Sequence, residues 1–247
     1  MVKIFFFFPF LLSASLCFAQ HYERPQMAGR HQVVHHYVFS LSYNEQHEQA
    51  NWVAYELTAN ETIARYSRKD YGKFRADTAI HTGSASPADY KGSGYDRGHL
   101  APAADMQWND TALSESFLMS NISPQQRSFN AGQWKKLEEA VRHWAQCYGS
   151  IYVATGPLLH DSLPTIGANK VSVPQYFYKV LLVYTPQIHQ SVGFIIPNEK
   201  IQKPLSAFIC PVDEVERFSG IDFFYALPDH IEEKIESAVD TLFWAIK

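Results

Sequence analysis

Residues 130–149 read NAGQWKKLEEAVRHWAQCYG. Trp134, Leu137, Val141 and Trp144 recur at intervals of three and four, which places them on one stripe of a helix with about 3.6 residues per turn, while Lys, Glu, Arg and His occupy the remaining face. The spacing predicts an amphipathic helix over 130–148, closed by Gly149 because glycine accepts the left-handed conformation that ends many helices.

Working outward, the flanking segments have a different period. Residues 52–57 alternate apolar and polar positions, and 150–155, 176–184 and 191–196 are runs of β-branched and aromatic residues separated by Gly, Pro, Asn and Gln. These are predicted strands. Later helices are expected over 212–219 and 229–246, and 58–96 reads as loop-rich. Helices and strands do not alternate strictly, and the chain has neither a G-x-G-x-x-G run nor a G-x-x-x-x-G-K phosphate loop. The expected class is therefore α+β, with a mixed, largely antiparallel sheet and flanking helices.

Of the 247 residues, 46% are hydrophobic and 15% aromatic, enough for one sizeable core. Met1-Val2-Lys3, an apolar run over 4–16 and Cys17-Phe18-Ala19 read as a secretory signal peptide cleaved before Gln20. The run is shorter than the roughly 20 apolar residues a membrane span requires, so no stable membrane insertion and a secreted or periplasmic location are expected. The predicted organisation is a signal peptide over 1–19, an N-terminal arm over 20–51 and one domain over 52–247. Cleavage leaves Cys147 and Cys210, which either form a disulfide or serve as two unpaired thiols. The net charge of −4 excludes a histone-like polycation, and any affinity for nucleic acid must come from a local basic patch.

Two clusters carry reactive side chains. Asp96-Arg97-Gly98-His99 packs an acid, a permanent cation and a base into four positions and continues as Leu100-Ala101-Pro102-Ala103. Downstream lie Ser120-Asn121-Ile122-Ser123-Pro124-Gln125, then Asn130, Trp134 and Leu137-Glu138. An isolated histidine of this kind is usually a satisfied structural residue; the second cluster is what gives the first a partner.

Together with Tyr90-Lys91-Gly92-Ser93-Gly94-Tyr95 and Val153-Ala154-Thr155-Gly156-Pro157, these clusters resemble the DNA/RNA non-specific endonuclease family over about residues 52–220. The resemblance implies a ββα-metal (His-Me finger) active site and a magnesium-dependent phosphodiesterase that cuts DNA and RNA with little sequence preference, leaving 5′-phosphate ends. By it, His99 corresponds to the general base, Asn130 to the single protein ligand of Mg2+ (for which Mn2+ can substitute), and Arg97 to a phosphate-binding arginine. Glu138 corresponds to the glutamate that holds the metal's water shell. The chemistry is coherent: a histidine of ordinary pKa near 6.5 accepts a proton from water at neutral pH, Mg2+ prefers oxygen ligands, and guanidinium grips phosphate through paired hydrogen bonds.

Glu138 lies two turns beyond Asn130, roughly 12 Å along a helix axis, on the same broad face. Arg142, at i+4 from Glu138, either binds phosphate or forms a helix-surface ion pair. Asp96 either orients the imidazole or braces Arg97, and Asn121 supports a turn or assists catalysis. The family's upstream phosphate-binding arginine aligns ambiguously over 68–77, with Arg75 the candidate. A catalytically inert nucleic-acid-binding module and a purely structural protein are the competing readings, and homodimerisation is left open.

Overall fold

The computed structural model describes residues 21–245; the expected signal peptide, 1–19, lies outside them. The main sheet opens with β1 (Gln32–His35), β2 (Ser40–Asn44) and β3 (Gln49–Thr58), an antiparallel meander. A short hairpin follows from β4 (Asp96–His99) and β5 (Ile122–Gln125), and α1 (Lys135–Tyr148) comes directly after it. The chain then returns through β6 (Ser150–Pro157), β7 (Tyr176–Tyr184), β8 (His189–Pro197) and β9 (Ile209–Cys210) before α2 (Val212–Ser219) and α3 (Asp229–Glu236). The seven-stranded sheet runs β9-β8-β7-β6-β3-β2-β1, and all its pairings are antiparallel.

Both faces of this sheet are covered, and the strand sequences show why. Along β7, Phe177, Leu181 and Val183 enter one core together with Trp134, Leu137, Val141 and Trp144 of the α1 segment. Tyr178, Val180 and Leu182 alternate to the other face, where they meet Val212 and Val215 of α2 and Ile235 of α3. A strand buried on both sides needs the near-continuous apolar run that β7 has, while helices covering one face each need only a stripe. Gly149 ends α1 at φ 91°, its N–H donating to the Ala145 carbonyl. The helix is thereby stopped where β6 must begin.

Two expectations are corrected, the arm over 20–51 and the extent of the last helix, and the alternative left open for the two cysteines is decided. The segment 20–51 is not an arm: β1, β2 and the start of β3 form one flank of the main sheet, and Leu41, Tyr43 and Ala50 are fully buried. Its polar composition hid a strand whose inward residues are only every second one. Cys147 and Cys210 are free thiols. Cys147 sits exposed near the end of α1, on one side of the sheet, and Cys210 packs against the core on the other, so the sheet itself separates them. The last helix also stops at Glu236 rather than reaching residue 246.

Candidate active site

The β4–β5 hairpin and the segment leading into α1 form a ββα unit at the edge of a cleft of about 510 Å³. Four register pairs, from Asp96 with Gln125 to His99 with Ile122, fix which side chains emerge together. Gly98 is required by this pairing: a Cβ there would lie 2.1 Å from Oε1 of the buried Gln125, whose side chain occupies the space a substituent would need. Asn121 holds the other end. Fully buried, it accepts from the Ala101 N–H at 2.9 Å and donates Nδ2 to the carbonyls of Ala101 and Ser116 at 2.9 and 2.8 Å. It therefore pins the chain just after His99.

His99 ends β4 with its imidazole between Phe74 and Phe117, at ring-centre distances of 5.5 and 4.9 Å. Its Nε2 is enclosed and has no hydrogen-bond partner. Burial in this aromatic slot, with a smaller contribution from the Arg68 cation, pushes the imidazole pKa down to about 3. The ring is consequently neutral at physiological pH, the form able to accept a proton.

Two guanidinium groups flank it. Arg97 stacks on Phe74 at 4.7 Å and Arg68 on Phe117 at 5.2 Å; both are exposed cations lining the cleft. Cation–π contact orients each group while leaving its N–H donors available for phosphate oxygens.

Between Phe129 and Lys135 the helix widens by one π turn, spanning Asn130–Trp134, with Gly132 departing from helical geometry at φ −106° and ψ −113°. Such widened turns re-aim side chains and occur often at functional sites. Asn130 sits at its start and donates Nδ2 to Asp96 Oδ2 at 3.1 Å. That bond fixes the amide and leaves its carbonyl oxygen as the atom able to ligate a cation. Asp96 thus braces Asn130, which neither of the two sequence readings of Asp96 anticipated.

Glu138, two turns along, lines the same cleft. Burial raises its pKa, and the nearby Lys179 ammonium opposes that rise. Arg142 also lines the cleft, but its Nη1 donates to Asp105 Oδ1 at 2.8 Å. Asp105 is 1% exposed and accepts at Oδ2 from the Tyr55 hydroxyl at 2.8 Å. The ion pair of Arg142 is therefore a tertiary one with Asp105 rather than a surface pair along the helix.

The structure brings His99, Arg97, Asn130, Glu138, Asp96 and Arg142 to one cleft. Arg75 does not join them: its Nη1 donates to the carbonyl of Ser114 at 2.7 Å, and the cleft position in that stretch belongs to Arg68. Sequence reasoning missed Arg68, Asp105 and Lys179. Lys179 did leave a signal, as the one charged residue in the otherwise apolar and aromatic run of β7.

An oxygen-donating amide, a carboxylate and a neutral imidazole on one cleft, with no cysteine among its residues, suit a hard divalent cation better than a thiophilic one.

Comparison with known proteins identifies the family. The family model described as DNA/RNA non-specific endonuclease matches residues 20–230. Mitochondrial endonuclease G of Homo sapiens is 34% identical over 200 residues, covering 75% of this chain and 67% of that protein. Nuclease C1 of Cunninghamella echinulata var. echinulata is 36% identical over 204 residues, 75% of this chain and 80% of that one. The mitochondrial nuclease EXOG of Danio rerio is 35% identical over 203 residues, and the chain spans 59% of its length. A crystal structure of the EndoG/EndoGI complex, described as showing the mechanism of EndoG inhibition, superposes with a TM-score of 0.76 at 33% identity over 81% of this chain and 89% of that one.

Proposed function

Because the chain belongs to the DNA/RNA non-specific endonuclease family, we propose that it is an exported, Mg2+-dependent endonuclease that hydrolyses phosphodiester bonds of DNA and RNA with little sequence preference. The observation that carries this reading is the pairing, across one cleft, of a neutral His99 with an Asn130 whose carbonyl oxygen is left free by its bond to Asp96.

In this reading the His99 imidazole takes a proton from the attacking water, and the aromatic slot keeps the ring unprotonated until it does so. Arg97 and Arg68 bind the phosphate oxygens and hold the phosphorus in line with that water. Asn130 would hold the cation through its amide oxygen, and Glu138 would accept hydrogen bonds from water in the cleft. When bound, Mg2+ supplies electrostatic stabilisation of the charge that develops on the phosphate and the leaving 3′ oxygen. Departure of that oxygen leaves the phosphate on the 5′ end. None of these groups reads a base edge, which supports low sequence preference.

Incubation with supercoiled plasmid and with RNA, in Mg2+ or in chelator, tests the reading. Cutting of both in Mg2+ only, with ends that a ligase joins without prior phosphorylation, is expected. Absence of cleavage at every cation concentration overturns it. Export rests on the N-terminal sequence, and N-terminal sequencing of the mature protein should begin at Gln20. Among the described residues no helix is long and apolar enough to cross a membrane.

A further inference from the structure

On the opposite side of the sheet from the cleft, α2 and α3 converge and bring acidic groups together. Asp213 and Glu216, one turn apart on α2, and Glu236, the last residue of α3, each present a carboxylate oxygen, and the three oxygens lie within 4.8 Å of one another. Glu236 is 5% exposed, and its Oε1 is enclosed with no hydrogen-bond partner. Glu216 already accepts the Phe223 N–H at 2.7 Å through Oε1, so its second oxygen is the one free to act.

Ionising all three carboxyls at once is costly without a counter-ion. Like charges this close repel strongly, and burial weakens the screening. Asp222 and Glu232 add to the field around Glu236, whose carboxyl is pushed up to about 9, first by burial and then by Glu216 and Glu232. Glu236 also stands at the C-terminal end of its helix, where backbone carbonyls disfavour another negative charge. Among the described residues no lysine or arginine pairs with any of the three, and Arg217, on the same helix, pairs with Glu214 instead.

We propose that Asp213, Glu216 and Glu236 form a second, structural cation site for Ca2+ that clamps α2 to the end of α3. The donor set is oxygen only, which favours a hard divalent ion over zinc or copper. Calcium takes oxygens at about 2.3–2.6 Å, so ligands of one ion lie no more than about 5.2 Å apart, which the three carboxylate oxygens satisfy, and it tolerates irregular geometry completed by water. The buried, partnerless oxygen of Glu236 gives the ion an anchor that a surface acidic cluster lacks. Val212, Val215 and Ile235, which hold the two helices on the sheet, belong to the core on this face, whereas the cleft belongs to the other. The role is accordingly one of stability rather than catalysis.

Thermal melts in chelator and in CaCl2 decide the matter, with the unaltered protein compared to Asp213→Asn, Glu236→Gln and Asn130→Ala. Calcium at about ten times its Kd should raise Tm by roughly 3–6 °C in the unaltered protein and equally in Asn130→Ala. Asp213→Asn and Glu236→Gln should lose that shift. If Glu236→Gln fails to fold, Asp213→Asn, at an exposed helical position, still gives the answer. The proposal is overturned if calcium moves no melt. It is equally overturned if the shift survives in Asp213→Asn, or disappears in Asn130→Ala, which would assign the ion to the cleft.

Discussion

The ammonium of Lys179 sits 4.7 Å from the centre of the Trp134 ring, although the lysine is 1% exposed and no acceptor reaches its Nζ. Trp134 begins the turn that leads to Glu138 and Arg142, and the buried cation acts on both Glu138 and Asp105. A lysine is costly to bury, so its retention points to those carboxylates. Lys179→Met should lower Tm, because it removes the cation that compensates the buried carboxyls of Glu138 and Asp105. Cleavage should fall by about tenfold or more. Without the opposing cation the Glu138 pKa rises further, so the acid limb of the pH–rate profile should move to higher pH. An unmoved profile would assign Lys179 to packing alone.

The slot around His99 has a pH signature. The folded imidazole titrates near 3 against an ordinary value of 6.5, so the unfolded chain binds the extra proton between these limits. His99 therefore contributes stability that is present above pH 6.5 and lost as pH falls toward 3. His99→Ala should flatten this part of a stability–pH curve measured by urea unfolding and should lower the cleavage rate by roughly 10²–10⁴-fold. A full-rate His99→Ala enzyme would remove the general base from the mechanism.

Asn130 is half-buried and its hydrogen bond to Asp96 is of ordinary length, so little of the core depends on it. Asn130→Ala should keep its melting temperature within a few degrees while cleavage at fixed Mg2+ drops by two orders of magnitude or more, a loss of about 2.7 kcal/mol in the barrier. The Mg2+ concentration needed for half-maximal rate should rise. An unchanged cation dependence would exclude the amide as the ligand.

Gly98 and Gln125 are coupled across the hairpin. Gly98→Ala forces a methyl into the Gln125 side chain and should cost about 1–3 kcal/mol in urea unfolding, with activity falling as β4 shifts. Gln125→Ala in the same molecule should restore most of that loss, which a double-mutant cycle would read as a favourable interaction energy. Additive effects would mean that the backbone tolerates the strain elsewhere.

What the sequence determined by itself follows from local periodicity and short spacing. The apolar stripe of 134, 137, 141 and 144 specified α1 and its buried face, β7 was bounded at Tyr176 and Tyr184 by its β-branched and aromatic run, and His99 and Asn130 were identifiable because their motifs are contiguous. The family assignment rested on those same residues, and the match over 20–230 agrees with it. Tertiary structure alone decided which distant groups share an environment. It put β1 and β2 into the sheet, chose Arg68 over Arg75 for the cleft, paired Arg142 with Asp105, and kept Cys147 and Cys210 on opposite faces. The reason is physical: a helix or strand is encoded in residues a few positions apart, whereas the field at Glu138 depends on Lys179 and that at Asp105 on Tyr55, groups brought together only when the sheet closes over the helix.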